Sequence, residues 1–129
     1  MSEHLPTAVT STIKEKWGDA LTGGFVLIPS ALLRNQYKLN LDCSEVVVLM
    51  NLFMHWWSVD EYPFPRTSTL AKRMGVSTRT AQRNIESLEQ KKLIRRIWKK
   101  ANKTDARAAA SYDLTGIVTA LKHLGSLPN

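Results

Sequence analysis

The chain has 129 residues, 43% of them apolar and 22% charged, with a formal net charge of +7. That size suits one domain around one core, and that composition excludes a disordered chain. No apolar run reaches the roughly 18–20 residues of a membrane span; the longest, VVVLMNLFMHWW at 46–57, is broken by Asn51 and His55.

Residues 1–11 read as disordered, being polar with Pro6 and several Ser and Thr. They have neither a basic start nor an apolar stretch, so no secretory signal is expected. TIKEKWGDAL at 12–21 reads as a short helix, because Ile13, Trp17 and Leu21 recur every four residues. Gly18 weakens it, and Gly23-Gly24 end it. After an extended FVLIP, Pro29 and Ser30 open a helix over SALLRNQY, with Ser30 as its cap. Asp42 and Glu45 then form the two ends of a capping box. The helix behind them is apolar nearly all round, which places it in the core or against a partner.

SVDEYPFPR at 58–66 breaks the chain with two prolines. Thr67 or Ser68 caps a short helix that ends at Gly75, a residue suited to the left-handed conformation. Ser77 caps the next helix, about 78–91. LIRRIWK at 93–99 and SYDL at 111–114 read as strands. The connection between them is a basic tip of about ten residues, longer than a tight turn. TGIVTALKHLG forms a last helix, with Ile117, Val118, Leu121 and Leu124 on one face.

The charge is concentrated. Residues 1–65 carry four Lys/Arg against seven acids, while residues 66–107 carry thirteen against three. A positive block of about 40 residues points to a polyanion, with nucleic acid foremost. On the helix after Ser77, Ala81, Ile85 and Leu88 face the core. Thr78, Arg79, Gln82, Arg83 and Glu86 lie on opposite or flanking faces. A helix fits the DNA major groove, where Arg pairs with guanine and Gln with adenine. The plain alternative is a solvated helix face. The compact Gly75-Val76 turn, the preceding helix and the charge block favour DNA over it.

These residues also resemble a known family. PFPRTSTLAKRMGVSTRTAQRNIESLEQKKLIRR is similar to the helix-turn-helix and first wing strand of winged-helix DNA-binding proteins. Leu70, Ala71, Gly75, Val76, Ser77, Arg79, Thr80, Ile85, Leu88, Leu93 and Ile94 carry the likeness. FVLIPSALLRNQYKLNLDCSEVVVLMNLF upstream resembles N-terminal domains of plasmid and phage replication initiators and related regulators. SYDLTGIVTAL resembles a second wing strand and closing helix. Lys92 stands where many relatives have glycine, and Ala81 where many have valine.

The resemblance implies a mainly α fold with a small β-hairpin wing: a winged helix-turn-helix with extra N- and C-terminal helices. Residues 1–24 would be a flexible segment with a short helix, and 25–125 the winged-helix domain. Thr78, Arg79, Gln82 and Arg83 would lie nearest the bases, with Arg66, Thr67, Ser77 and Thr80 on phosphates. Lys99, Lys100, Lys103 and Arg107 of the wing would follow the backbone or enter the minor groove. The partner would be double-stranded DNA, and the role transcriptional regulation, in a protein encoded by a mobile element. The alternatives are an accessory role in plasmid or phage replication or partition, and a protein-contact module.

His4, His55, His123 and Cys43 have no zinc spacing, and no glycine-rich phosphate loop is present. No cofactor, metal site, catalysis, membrane span or small-molecule effector is expected. A lone cysteine and a DNA partner fit a cytoplasmic, nucleoid-associated protein. Surplus apolar surface on 46–57 and the extra terminal helices raise the expectation of a homodimer. Of the four tryptophans, Trp17 and Trp98 are expected in the core, Trp98 beneath the wing, with stacking on a base as its alternative. Trp56 and Trp57 differ by about 100° on a helix, so one of them should meet the N-terminal helix or a second subunit.

Overall fold

The computed structural model describes residues 7–100 and 108–126. Helix α1 is Thr7–Trp17, so it begins ahead of the expected start at 12. No glycine or proline interrupts that stretch, and the Thr12 hydroxyl donates to the Ala8 carbonyl at 2.9 Å. Gly18, at φ +51°, stops α1, and a 3-10 turn follows over Gly18–Leu21. Helix α2, Ser30–Arg34, is shorter than SALLRNQY. Pro29 occupies its cap position and Ser30 is its first residue, so Ser30 makes no side-chain cap.

Helix α3 is Cys43–Met54. Its start is the expected capping box: Asp42 Oδ1 accepts from the Glu45 amide at 2.8 Å, and Glu45 Oε1 accepts from the Asp42 amide at 3.0 Å. Val48, Leu49 and Leu52 are fully buried. The helix ends at His55, so Trp56 and Trp57 lie beyond it and the expected 100° relation does not apply. Trp57 is exposed.

Helix α4 is Thr67–Met74 and α5 is Thr78–Gln90. Arg66, not Thr67 or Ser68, holds the cap position of α4, with no side-chain cap. The Thr67 hydroxyl is instead hydrogen-bonded to Tyr112. Gly75 ends α4 at φ +70°, as expected. Ser77 Oγ caps α5 by accepting from the Thr80 amide at 3.1 Å. Ala81, Ile85 and Leu88 turn into the core. Arg73 on α4 reaches back to the end of α3: its Nη1 donates to His55 Nε2 at 2.9 Å and to Asn51 Oδ1 at 3.3 Å. A guanidinium only donates, so the His55 imidazole is neutral at that nitrogen.

Strands β1 (Arg95–Lys100) and β2 (Ala108–Asp113) form one antiparallel pair, from Arg95 opposite Asp113 to Lys100 opposite Ala108. The pairing extends further toward the tip than the apolar pattern implied, because alanines supply ladder hydrogen bonds as well as any residue. The Tyr112 amide donates to the Pro63 carbonyl at 2.9 Å, tying β2 to the segment before α4. Helix α6, Thr115–Gly125, closes the chain. Asp113 Oδ1 accepts from the Thr115 amide at 2.9 Å and its hydroxyl at 2.6 Å, which satisfies the start of that helix. Leu32, Leu49, Leu52, Leu70, Ile85, Leu88, Tyr112, Leu114 and Ile117 make the core between these elements.

The junction between α5 and β1 is the tightest place in the fold. Lys92 adopts φ +61°, the left-handed conformation that glycine takes at low cost. Gly116 of α6 lies directly over it: a Cβ there would stand 2.1 Å from the Lys92 carbonyl oxygen and 2.9 Å from that of Leu93. The Ile117 amide donates to the Leu93 carbonyl at 2.7 Å. Only a residue without a side chain permits this approach. A Gly116→Ala variant is therefore expected to lose about 1–3 kcal/mol in urea unfolding. Lys92→Gly should gain about 1 kcal/mol, by relieving the left-handed strain.

Three carboxylates anchor neighbouring elements. Burial pushes the Glu45 carboxyl up. The Lys91 ammonium (2.7 and 2.8 Å), the Asp42 amide and the Ser87 hydroxyl outweigh it, and the group ends below its ordinary 4.5. The Lys91 ammonium also donates to the Asn40 carbonyl. Hydrogen bonds from Arg96 hold Glu89 down, and those from Thr115 and then Arg95 hold Asp113 down. For His55, burial and then the Arg73 charge lower the imidazole below 6.5. In all four the unfolded chain takes up its proton first on acidification, so the stability they contribute is present at high pH and lost as pH falls. Urea midpoints should decline gently from about pH 6.5 and steeply below about pH 4.5. A Lys91→Met variant should lose about 1–3 kcal/mol at pH 7, and the gap to the unmodified protein should narrow as acidification protonates Glu45 in both.

Candidate nucleic-acid interface

With about 100° between successive residues, Thr78, Arg79, Gln82, Arg83 and Glu86 share an arc of about 140° on α5. All five side chains are exposed. Ala81, Ile85 and Leu88 occupy the opposite arc and are buried. The polar arc is therefore a continuous outward surface, held by the apolar one. Neither Arg79 nor Arg83 has a carboxylate partner among the described residues. Their guanidinium groups keep all their donors for an outside acceptor.

The start of α5 adds backbone donors. Ser77 Oγ takes the Thr80 amide and the Ser77 carbonyl takes the Ala81 amide. The Thr78 and Arg79 amides have no acceptor among the described residues, and they stand at the positive end of the helix dipole. Ser77 Oγ also lies 3.0 Å from Thr80 Oγ1 as its donor. Ser77 is thus engaged in the cap, and the Thr80 hydroxyl proton is the one left for a phosphate.

Elsewhere the expected residues divide. Arg66 is exposed at the start of α4. Thr67 is half-buried and bonded to Tyr112, a structural commitment that the sequence did not signal. Lys99 and Lys100 are β1 positions opposite Ala109 and Ala108. Lys103 and Arg107 lie outside the described residues. Three cations of the positive block serve the fold: Lys91 with Glu45, Arg95 with Asp113 at 3.1 Å, and Arg96 with Glu89 at 2.7 Å. Arg73 is committed to His55 and Asn51. Lys72 on α4 is exposed, and its position one turn before the helix-turn-helix turn places it beside the same surface. Its exposed place on that short helix was legible in the spacing, but its value was hidden among thirteen cations.

Trp98 departs from expectation. It is exposed, not packed beneath the wing, and the Arg96 guanidinium lies over its ring. Among the described residues, no group of three or more His, Cys, Asp or Glu is placed to hold a metal ion. No helix among them is long and apolar enough to cross a membrane.

Residues 39–94 match the family model of a helix-turn-helix domain, a span that takes in α3, α4, α5 and the entry to the wing. The N-terminal domain of the DnaD protein from Geobacillus kaustophilus is similar in structure, with a TM-score of 0.58 and 25% identity over 85% of this chain and 87% of that one. The YusO protein from Bacillus subtilis shares the fold at a TM-score of 0.50 and 22% identity, over 95% of this chain and 77% of that one. Comparison with curated protein sequences gives no match. The family match supports double-stranded DNA as a partner. The architecture is a winged helix-turn-helix, with α4 and α5 as its paired helices and β1 and β2 as its wing.

Proposed function

We propose that the protein binds double-stranded DNA in a sequence-specific manner and regulates transcription. Helix α5 enters the major groove. Arg79, Gln82 and Arg83 address base edges, and Thr78 lies beside them. The Thr78 and Arg79 amides, the Thr80 hydroxyl and Arg66 take phosphates. Lys99, Lys100, Lys103 and Arg107 carry the wing along the backbone or into the minor groove. The observation that carries this reading is the exposed arc of α5, with Arg79 and Arg83 unpaired on it among the described residues. Glu86, exposed in the middle of that arc, adds an acceptor suited to a cytosine amino group.

The protein also pairs with a second copy in this reading. The original ground, surplus apolar surface on 46–57, shrinks because Val46, Val48, Leu49 and Leu52 are buried within one chain. The terminal ground grows, since Trp17, Phe25, Leu27 and Leu33 are exposed together with a groove of about 500 Å³ beside Ile13, Leu21 and Phe25. Sedimentation at tens of micromolar should give a dimer, and a monomer there would remove this part.

Selection of bound fragments from a random duplex library at physiological salt tests the main reading. A recovered motif supports it, and its positions among genes separate promoter control from a replication or partition role. Arg79→Ala and Arg83→Ala are each expected to cost about 1–3 kcal/mol on the selected site. Equal losses on random duplex would assign them to phosphates. If about six phosphates are engaged, log K should fall with log salt at a slope near −5.

A further inference from the structure

Trp98 is 58% exposed on β1, and its directly opposite residue is Ala110, too small to cover an indole. Opposed residues of an antiparallel pair share a face. Trp98 therefore lies on the same side of the sheet as Arg96 and Tyr112. Tyr112 is buried in the core at 2% exposure. The core ends at that row, and the next row toward the tip carries the indole into solvent.

The ring is nonetheless held. The Arg96 guanidinium lies over it, 5.4 Å from the centroid. That guanidinium is fixed in turn: Nε and Nη2 donate to Glu89 Oε1 at 3.0 and 2.7 Å, and the Arg96 amide donates to Glu89 Oε2 at 2.9 Å. Glu89 belongs to α5, about 20° around that helix from Thr78 and Gln82. A chain of contacts thus runs from the reading helix to the indole, and places the ring in the angle between α5 and the wing. An already fixed side chain loses little freedom on binding.

One face of the indole is taken by Arg96. Insertion between base pairs needs both faces, so the ring is unsuited to it. A single open face, on a strand that continues into Lys99 and Lys100, fits the apolar side of a sugar in a polyanionic backbone. We propose that Trp98 packs its free face flat on a deoxyribose of the bound duplex. This rests on the reading of α5 as the helix that lies on DNA. The contact depends on neither base identity nor charge.

The test uses the full chain with two duplexes of equal length, one carrying the selected site and one of random sequence. Trp98→Ala should weaken binding about tenfold on both, the size of an aromatic stacking contact. The salt slope should not change, because no phosphate contact is lost. Trp98→Phe should keep most of the affinity, and Trp57→Ala, on the distant loop after α3, all of it. Bound duplex should also reduce acrylamide quenching of tryptophan emission in the unmodified protein but not in Trp98→Phe. That measurement stands even if Trp98→Ala folds poorly. Unchanged affinity of Trp98→Ala, a loss confined to the selected site, a flatter salt slope, or quenching indifferent to DNA would each overturn the sugar contact. Failure of the unmodified protein to bind either duplex would instead remove the reading of α5. Binding by the unmodified protein with no defect in Trp98→Ala removes the sugar contact alone.

Discussion

The buried carboxylate of Glu45 sets the frame for α5. At 1% exposure it would be costly to ionise alone, and each of its oxygens is met. One side of it closes the start of α3 through the Asp42 amide, and the other receives the Lys91 ammonium from the end of α5. The same ammonium reaches the Asn40 carbonyl. Two helices that are 46 residues apart in the chain are thereby joined end to start. Removal of either partner leaves a charge in the interior, so the join is specific as well as strong. Glu89 to Arg96 and Gly116 over Lys92 fix the same end of α5 from the wing and from α6. These polar and close contacts fix the C-terminal end of α5, while burial of Ala81 and Ile85 seats its N-terminal half.

This division explains how one basic block serves two purposes. Cations near the α5–β1 junction are neutralised by acids that the fold brings to them: Glu45, Glu89 and Asp113. Cations on the outer arc of α5 are paired with no acid among the described residues. The net field that a duplex meets is therefore smaller than the count of thirteen Lys/Arg implies, but better focused.

Features set by neighbours a few residues apart were legible in the sequence. The Asp42–Glu45 box, the Ser77 cap, the left-handed Gly75 and the inward Ala81, Ile85 and Leu88 depend on local spacing alone. Lys92 belongs with them in part, since it stands where many relatives have glycine and φ +61° is found. The misses have another character. Thr67 reads as a cap until Tyr112, 45 positions away by number, takes its hydroxyl. Trp17 and Trp98 read as core because apolar residues are usually inside, yet both are exposed. The exposure of Trp98 depends on what stands opposite β1. Gly116 carries no sequence signal, because its need for a bare Cα comes from the Lys92 and Leu93 carbonyls across the fold. The start of α1 differs for a simpler reason: past Pro6, residues 7–11 hold no glycine or proline to stop a helix.

Glu86 bears on whether the α5 surface reads sequence or only holds backbone. A surface evolved for phosphate alone gains from every added cation and loses from any acid, since a carboxylate repels phosphate oxygens at each register along the duplex. Glu86 is exposed at the centre of the arc, between Arg79, Gln82 and Arg83, and no cation among the described residues is paired with it. It lowers affinity for every sequence except one that presents a donor at its position, such as the amino group of cytosine. Discrimination arises from that asymmetry as much as from attraction. Two arginines, a glutamine and a glutamate on one rigid face place acceptor-seeking, mixed and donor-seeking groups in a fixed order, which is the chemistry that a base sequence can match and a uniform phosphate backbone cannot.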